Sequence, residues 1–156
     1  MAVNVQPDPN VDAVYAAEVQ HQADHPNTVG KEISPHQARR LSKHILNHSA
    51  LDDFPGIEKA RRSIATRVSV RTGLIGKLAP GMAGATNMYG TTLYSKTAPL
   101  TVGTVVHETA HKILAHGDPE AAHGPQFTAL HEDILTHVFN DRRNSLRAYY
   151  DAHGAE

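Results

Sequence analysis

Val105-Val106-His107-Glu108-Thr109-Ala110-His111-Lys112-Ile113-Leu114 is an HExxH sequence set among apolar residues at helical spacing. On a helix, positions four apart share one face a single turn apart, so the imidazoles of His107 and His111 can reach one ion. Glu108, between them, is then placed to act on a water beside that ion. Zinc suits the pair, because it takes neutral imidazole nitrogens at about 2.0–2.1 Å and its catalytic sites use three protein ligands, leaving one position for water. The stretch therefore predicts a metal-binding helix and demands a third ligand.

Around it the pattern is regular. Thr101 is the expected N-cap, Val102, Val105, Val106, Ala110, Ile113 and Leu114 form the buried stripe, and Gly117 ends the helix, with the histidines lying off that stripe. Immediately upstream, Ala85 to Met88 and Thr91 to Ser95 read as two short strands about Tyr89-Gly90, a candidate sheet edge beside the site that could pair with an extended peptide. Thr72 to Gly84, with four glycines and a proline, reads as a long loop or flap, and no GxxxxGK[ST] pattern makes it a phosphate cradle. Arg67 to Arg71 alternates with period two, as a half-buried strand does.

Helices account for the rest. Asp8-Pro9 looks like a cap followed by proline at the first helical position, opening a helix to about residue 23 that His25-Pro26-Asn27 and Gly30 then break. Ser34-Pro35-His36-Gln37 has the form of a capping box for a second helix carrying Ala38, Leu41, Ile45 and Leu46. Its His44 and His48 also stand four apart, but they lack a neighbouring carboxylate and a third partner. Ile57, Ala60, Arg61 and Ile64 suggest a short third helix after the turn at Leu51 to Gly56. Beyond the metal helix, His123-Gly124-Pro125 leads into a helix with Phe127, Leu130, Ile134, Leu135 and Val138, and Leu146, Tyr149 and Tyr150 suggest a last one. The expected class is α+β: N-terminal helices, a small antiparallel or mixed sheet of about three strands, then the HExxH helix and C-terminal helices.

Composition narrows the chemistry. A chain of 156 residues falls within the range of one domain, read here as residues 1–156 with flexible tails at 1–8 and 152–156. Cysteine is absent, which excludes thiolate zinc sites, disulfides and cysteine nucleophiles and leaves His, Asp and Glu as ligands. The start has neither a basic nor an apolar leader region, and no run approaches the roughly 18–20 apolar residues of a membrane helix, so a cytoplasmic protein is expected. The net charge of −1 conceals a basic middle: residues 31–77 carry ten bases against four acids. Those bases are spread over helix and strand patterns and read as a solvated face, so DNA binding is possible but not indicated.

Several residues compete as third ligand. A histidine six residues after His111 is the metzincin requirement, and Gly117 stands there instead. His116 is turned away from the His107 and His111 face by its five-residue step. Glu132, 21 residues after His111, fits by count a glutamate on the following helix. His123, opening that helix after a chain reversal, is the other possibility.

HETAH, an eleven-residue gap and then HGPQF resembles the SprT-like metalloproteases, the Spartan group included, in which HExxH is followed by a third zinc histidine in an HGPEF-type sequence. The wider chain, with Val14-Tyr15-Ala16-Ala17-Glu18 near its start and Leu146-Arg147-Ala148-Tyr149-Tyr150 near its end, also looks like a small actinobacterial and phage family of metallohydrolases. The resemblance implies a minimal zincin-like domain holding one Zn2+ on His107, His111 and His123, with Glu108 as general base. Gln126 replaces the usual acid of HGPEF, and no DNA- or ubiquitin-binding extension is recognisable.

The expected function is zinc-dependent hydrolysis, most naturally of a peptide bond in a protein or peptide substrate. Tyr89, Tyr94, Tyr149 and Tyr150 are candidate donors to the developing oxyanion. The rival reading is a non-catalytic, metal-stabilised binding module, which would need a fourth protein ligand from His116, Asp118, Glu120 or Glu132.

Overall fold

A computed structural model describes residues 10–69, 84–86, 92–94, 99–117, 122–141 and 146–156. Among the described residues there are six α-helices: α1 (Val11–Asp24), α2 (Pro35–Leu46), α3 (Ile57–Arg67), α4 (Val102–Gly117), α5 (Pro125–Asp133) and α6 (Leu146–His153), with α5 running on into a π-helical turn at Ile134–Val138. Three strands, β1 (Val68–Ser69), β2 (Gly84–Thr86) and β3 (Thr92–Tyr94), contribute two, three and three residues.

These lengths correct the expected α+β class. The described residues are mostly helical, and the sheet layer anticipated from the alternating stretches is not there. What exists is a few rungs of ladder, Val68 and Ser69 parallel to Thr92 and Leu93, and Gly84 to Thr86 antiparallel to Thr92 to Tyr94. The alternation at Arg67 to Arg71 misled because Arg67 completes the last turn of α3, leaving Val68 and Ser69 as strand. Val70, Arg71, the Thr72–Gly84 loop up to residue 83, and the turn at Tyr89-Gly90 lie outside the described residues.

Helix starts follow the local chemistry where polar side chains can reach the first amides. Ser34 accepts from the Gln37 amide at 3.2 Å while the Gln37 side chain accepts from the Ser34 amide at 2.8 Å, so the capping box forms in full. Thr101 caps α4 by accepting from the Thr104 amide at 3.2 Å. Two further amides at that end are taken by the preceding chain: Val102 N donates to Lys31 O at 3.0 Å and Gly103 N to Val29 O at 2.7 Å. The other end of α4 is fixed by close backbone approach. Gly56, at φ +82°, leaves no room for a Cβ against Gly117 N, and a Cβ on Gly117 would in turn meet Pro55 O.

α4 is thus held at both ends and enclosed between α2, α3, α5 and β2. The stripe expected for it is too narrow. His107, Glu108, Thr109 and Lys112 are buried along with Val105, Val106, Ala110 and Ile113, so burial spreads well beyond the apolar stripe, while His111 and His116 stay half-buried. α6 packs along α1 and closes the opposite flank.

The start of the first helix also differs from expectation. α1 begins at Val11 with Asn10 before it, and Asp8-Pro9 lies outside the described residues. Asn10 makes no cap bond to its own helix; its amide donates to His123 O at 2.6 Å and to Glu156 O, and its carbonyl accepts from Glu156 N at 3.0 Å. At the other end α6 reaches His153, Ala155 is buried and Thr128 donates to Glu156 O at 2.6 Å, while Ala152, His153, Gly154 and Glu156 are exposed.

Candidate metal centre

His107 and His111 project from one face of α4, and His123 meets them from the turn that opens α5. Their Nε2 atoms lie 3.1 Å (His107 to His111), 2.9 Å (His111 to His123) and 3.4 Å (His107 to His123) apart. Two nitrogens bound to one ion at zinc distances stand about 2.9–3.4 Å apart, depending on the coordination angle. Those spacings match what a single ion requires. Residues 118–121 lie outside the described residues, but the end of the reversal is visible: Ala122 takes a left-handed backbone, φ 40°, and Asn10 holds the His123 carbonyl.

Phe127 supports all three rings from below. Fully buried at the first turn of α5, it stacks on His111 at 4.4 Å and lies edge-on to His107 at 4.8 Å and to His123 at 5.1 Å. Tyr15 of α1 covers the other side, stacked on His107 at 5.4 Å and tilted against His123 at 5.3 Å. Two aromatic walls therefore fix where the imidazoles can point.

The far nitrogen of His107 is occupied. Its Nδ1 lies 2.6 Å from Glu18 Oε2, and both side chains are buried. Burial alone would raise the Glu18 carboxyl, but the charges and hydrogen bonds of His107 and His131 outweigh it and hold the group well below the usual carboxylate range. For His107, burial favours the neutral ring, and Glu18 pulls the other way and prevails, raising its pKa. His111 is pushed down to about 2 by burial and by the neighbouring His107 and His123, which favours the neutral ring. Neutral imidazole is the form a metal takes.

Glu108 is buried beside His107. Its Oε1 lies 3.9 Å from His107 Nε2, and Thr86 of β2 donates to its Oε2 at 2.5 Å. Burial raises its pKa against the lowering pull of His107 and Thr86, which makes it a better proton acceptor than an exposed carboxylate. A cleft of about 470 Å³ opens onto His107 and Glu108, walled by Tyr15, Val19, Gln22 and Thr104, with Gly84 of β2 at its edge. Val19 is 68% exposed there, an apolar side chain facing the cleft.

A second group of ligand-type side chains, Glu18, His107 and His131, is wholly buried and adjoins the first. Either group could hold a metal ion on proximity alone. In the second, however, carboxylate and ring nitrogens stand at 2.6 and 2.8 Å, the separation of a charge-assisted hydrogen bond and shorter than two ligands of one ion usually keep.

Other candidates fall elsewhere. Glu132, the competing third ligand, receives Arg147 Nε at 3.1 Å and joins neither group. His116 lies at the far end of α4 beside Asp52, Phe54 and Lys59. Asp118 and Glu120 are outside the described residues, as is Tyr89. Tyr94 is buried and beside Glu108, Ser42 and Thr109, Tyr149 donates to Asp24 at 2.9 Å, and Tyr150 is engaged with Glu18, so the tyrosine that borders the cleft is Tyr15. His44 and His48 meet edge to face at 6.1 Å, and neither belongs to a ligand cluster among the described residues. In the basic middle, Arg61 is spent internally on Asp52, Glu58 and the carbonyls of Leu46 and His48.

Sequence reasoning named Tyr150 only as a candidate oxyanion donor and Glu18 only within a resemblance, and it did not anticipate that they meet His131 and His107. One signal was available: His131 stands four residues after Phe127 and so shares the buried face of α5. No described helix is long and apolar enough to cross a membrane. Among family models, curated proteins and solved structures, none matches the chain.

Proposed function

We propose that the protein is a zinc-dependent metallopeptidase of the SprT-like type, with His107, His111 and His123 as zinc ligands and Glu108 as general base. The observation that carries this reading is the convergence of three imidazole Nε2 atoms within 3.4 Å of one another beside a buried carboxylate. A zinc ion held there would supply a Lewis acid and bring the pKa of a water towards 7.

The chain's own groups do the rest. Thr86 holds Glu108 by one oxygen, and the other is turned towards the histidines, so Glu108 can take a proton from the attacking water and return it to the leaving amine. Two buried carboxylates, Glu18 and Glu108, flank the nitrogens, and buried negative charge of this kind is stabilised by a cation between them. The resemblance of HETAH and HGPQF to the SprT-like sequences supports the same assignment.

A peptide is favoured as substrate because Gly84 of β2, outermost of the described strands in the order β1-β3-β2, lines the cleft, where an extended chain can add alongside it. The non-catalytic reading fares worse: the three-histidine group has no fourth ligand among the described residues, which suits a site that keeps one position for water. The test is hydrolysis of an unstructured peptide mixture followed by mass spectrometry. Cleavage that a chelator abolishes and stoichiometric zinc restores is expected; absence of cleavage by fully zinc-loaded protein would count against the proposal.

A further inference from the structure

Glu18 is tied into the molecule by three hydrogen bonds that arrive from three helices. His107 Nδ1 of α4 lies 2.6 Å from its Oε2, His131 Nδ1 of α5 lies 2.8 Å from its Oε1, and the Tyr150 hydroxyl of α6 donates to Oε1 at 2.7 Å. Tyr150 and His131 also touch each other, at 3.1 Å. All four side chains are buried.

With Glu18 ionised and both rings neutral, hydrogen-bond accounting gives one assignment. A carboxylate is acceptor only, so each of its three neighbours must donate. His131 therefore carries its proton on Nδ1, Tyr150 gives its proton to Glu18, and His107 carries its proton on Nδ1. The last point matters most, because a neutral ring protonated on Nδ1 must present a lone pair at Nε2, and Nε2 is the atom that faces His111 and His123. Glu18 thus selects the tautomer of His107 that can bind a metal, and the clamp of His131 and Tyr150 prevents Glu18 from rotating away.

We infer that Glu18 is a positioning residue for the metal centre, locked by His131 and Tyr150, so that the docking of α6 on α1 sets the affinity of the site. This rests on the zinc assignment proposed above. Carboxylates that orient metal-bound histidines contribute about 10–100-fold to metal affinity. A site whose support comes from the C-terminal helix would load its ion only after the chain has closed.

The test compares the native chain with Glu18→Gln and Tyr150→Phe, measuring zinc affinity by competition with a chromophoric chelator and the visible absorption spectrum of the cobalt(II)-substituted protein. Circular dichroism of the metal-free forms shows whether each variant is folded. Tyr150→Phe removes one hydroxyl and keeps the ring, so it remains informative should Glu18→Gln fail to fold. Expected are a 10–100-fold weaker zinc affinity and an altered cobalt spectrum in Glu18→Gln, and a smaller loss in the same direction in Tyr150→Phe. Affinities within twofold of native, with an unchanged cobalt spectrum, in the folded variants would overturn the inference while leaving the zinc reading intact. Two ions per native chain, falling to one in Glu18→Gln, would make Glu18 a ligand and overturn it as well. A native chain that takes up no zinc or cobalt would overturn both proposals.

Discussion

Glu108→Gln binds zinc as tightly as the native chain and loses peptide hydrolysis by roughly 10²–10⁴, the contribution of one positioned acid–base group. The argument rests on what the substitution leaves alone. Glutamine keeps the size of the side chain and an oxygen that can accept from Thr86, so the contact between β2 and α4 survives. The three ring nitrogens are untouched. What disappears is the capacity to take a proton, at a position where burial has already made the carboxyl a stronger base than usual. Initial rates on a peptide identified as a substrate, together with zinc content, check this. Full turnover in Glu108→Gln would remove the carboxylate from the mechanism.

Phe127→Ala unfolds more easily than the native chain by about 3–5 kcal/mol, the usual range when a fully buried phenylalanine is cut to a methyl group. The loss should extend to the metal. Phe127 contacts all three candidate ligands and lies 5.8 Å from His131, so its removal frees the imidazoles on the side opposite Tyr15. Chemical denaturation of the metal-free chain gives the stability, and zinc titration gives the affinity. A variant with native stability would mean that the wall under the histidines is not part of the core.

The residues explain why some of this was legible in advance. The HExxH pair and the capping box at Ser34 are local: their meaning depends on residues three or four positions away, which helical geometry fixes. His123 is only 12 positions from His111, and a turn followed by proline at the start of α5 leaves few places for it to go. Glu18 stands 89 positions from His107 and 132 from Tyr150, so nothing in their spacing could connect them. Only the packing of α1 against α4 and α6 does.

The class was misjudged for a related reason. Period-two alternation over five residues is too short to separate a strand from the end of a helix, and at Arg67 to Ser69 the chain uses both. The burial of α4 was underestimated because its stripe was read from apolar residues alone. His107, Glu108 and Lys112 are enclosed despite their polarity, and polar residues enclosed in a core need partners. Polarity in the sequence hid what it should have advertised.

The most direct test of the central claim is the metal content of the purified protein measured beside His123→Ala and Glu132→Ala. The geometry predicts one zinc per chain in the native protein, retained in Glu132→Ala, where an ion pair with Arg147 is removed, and lost in His123→Ala. Zinc retained by His123→Ala and lost from Glu132→Ala would contradict the assignment.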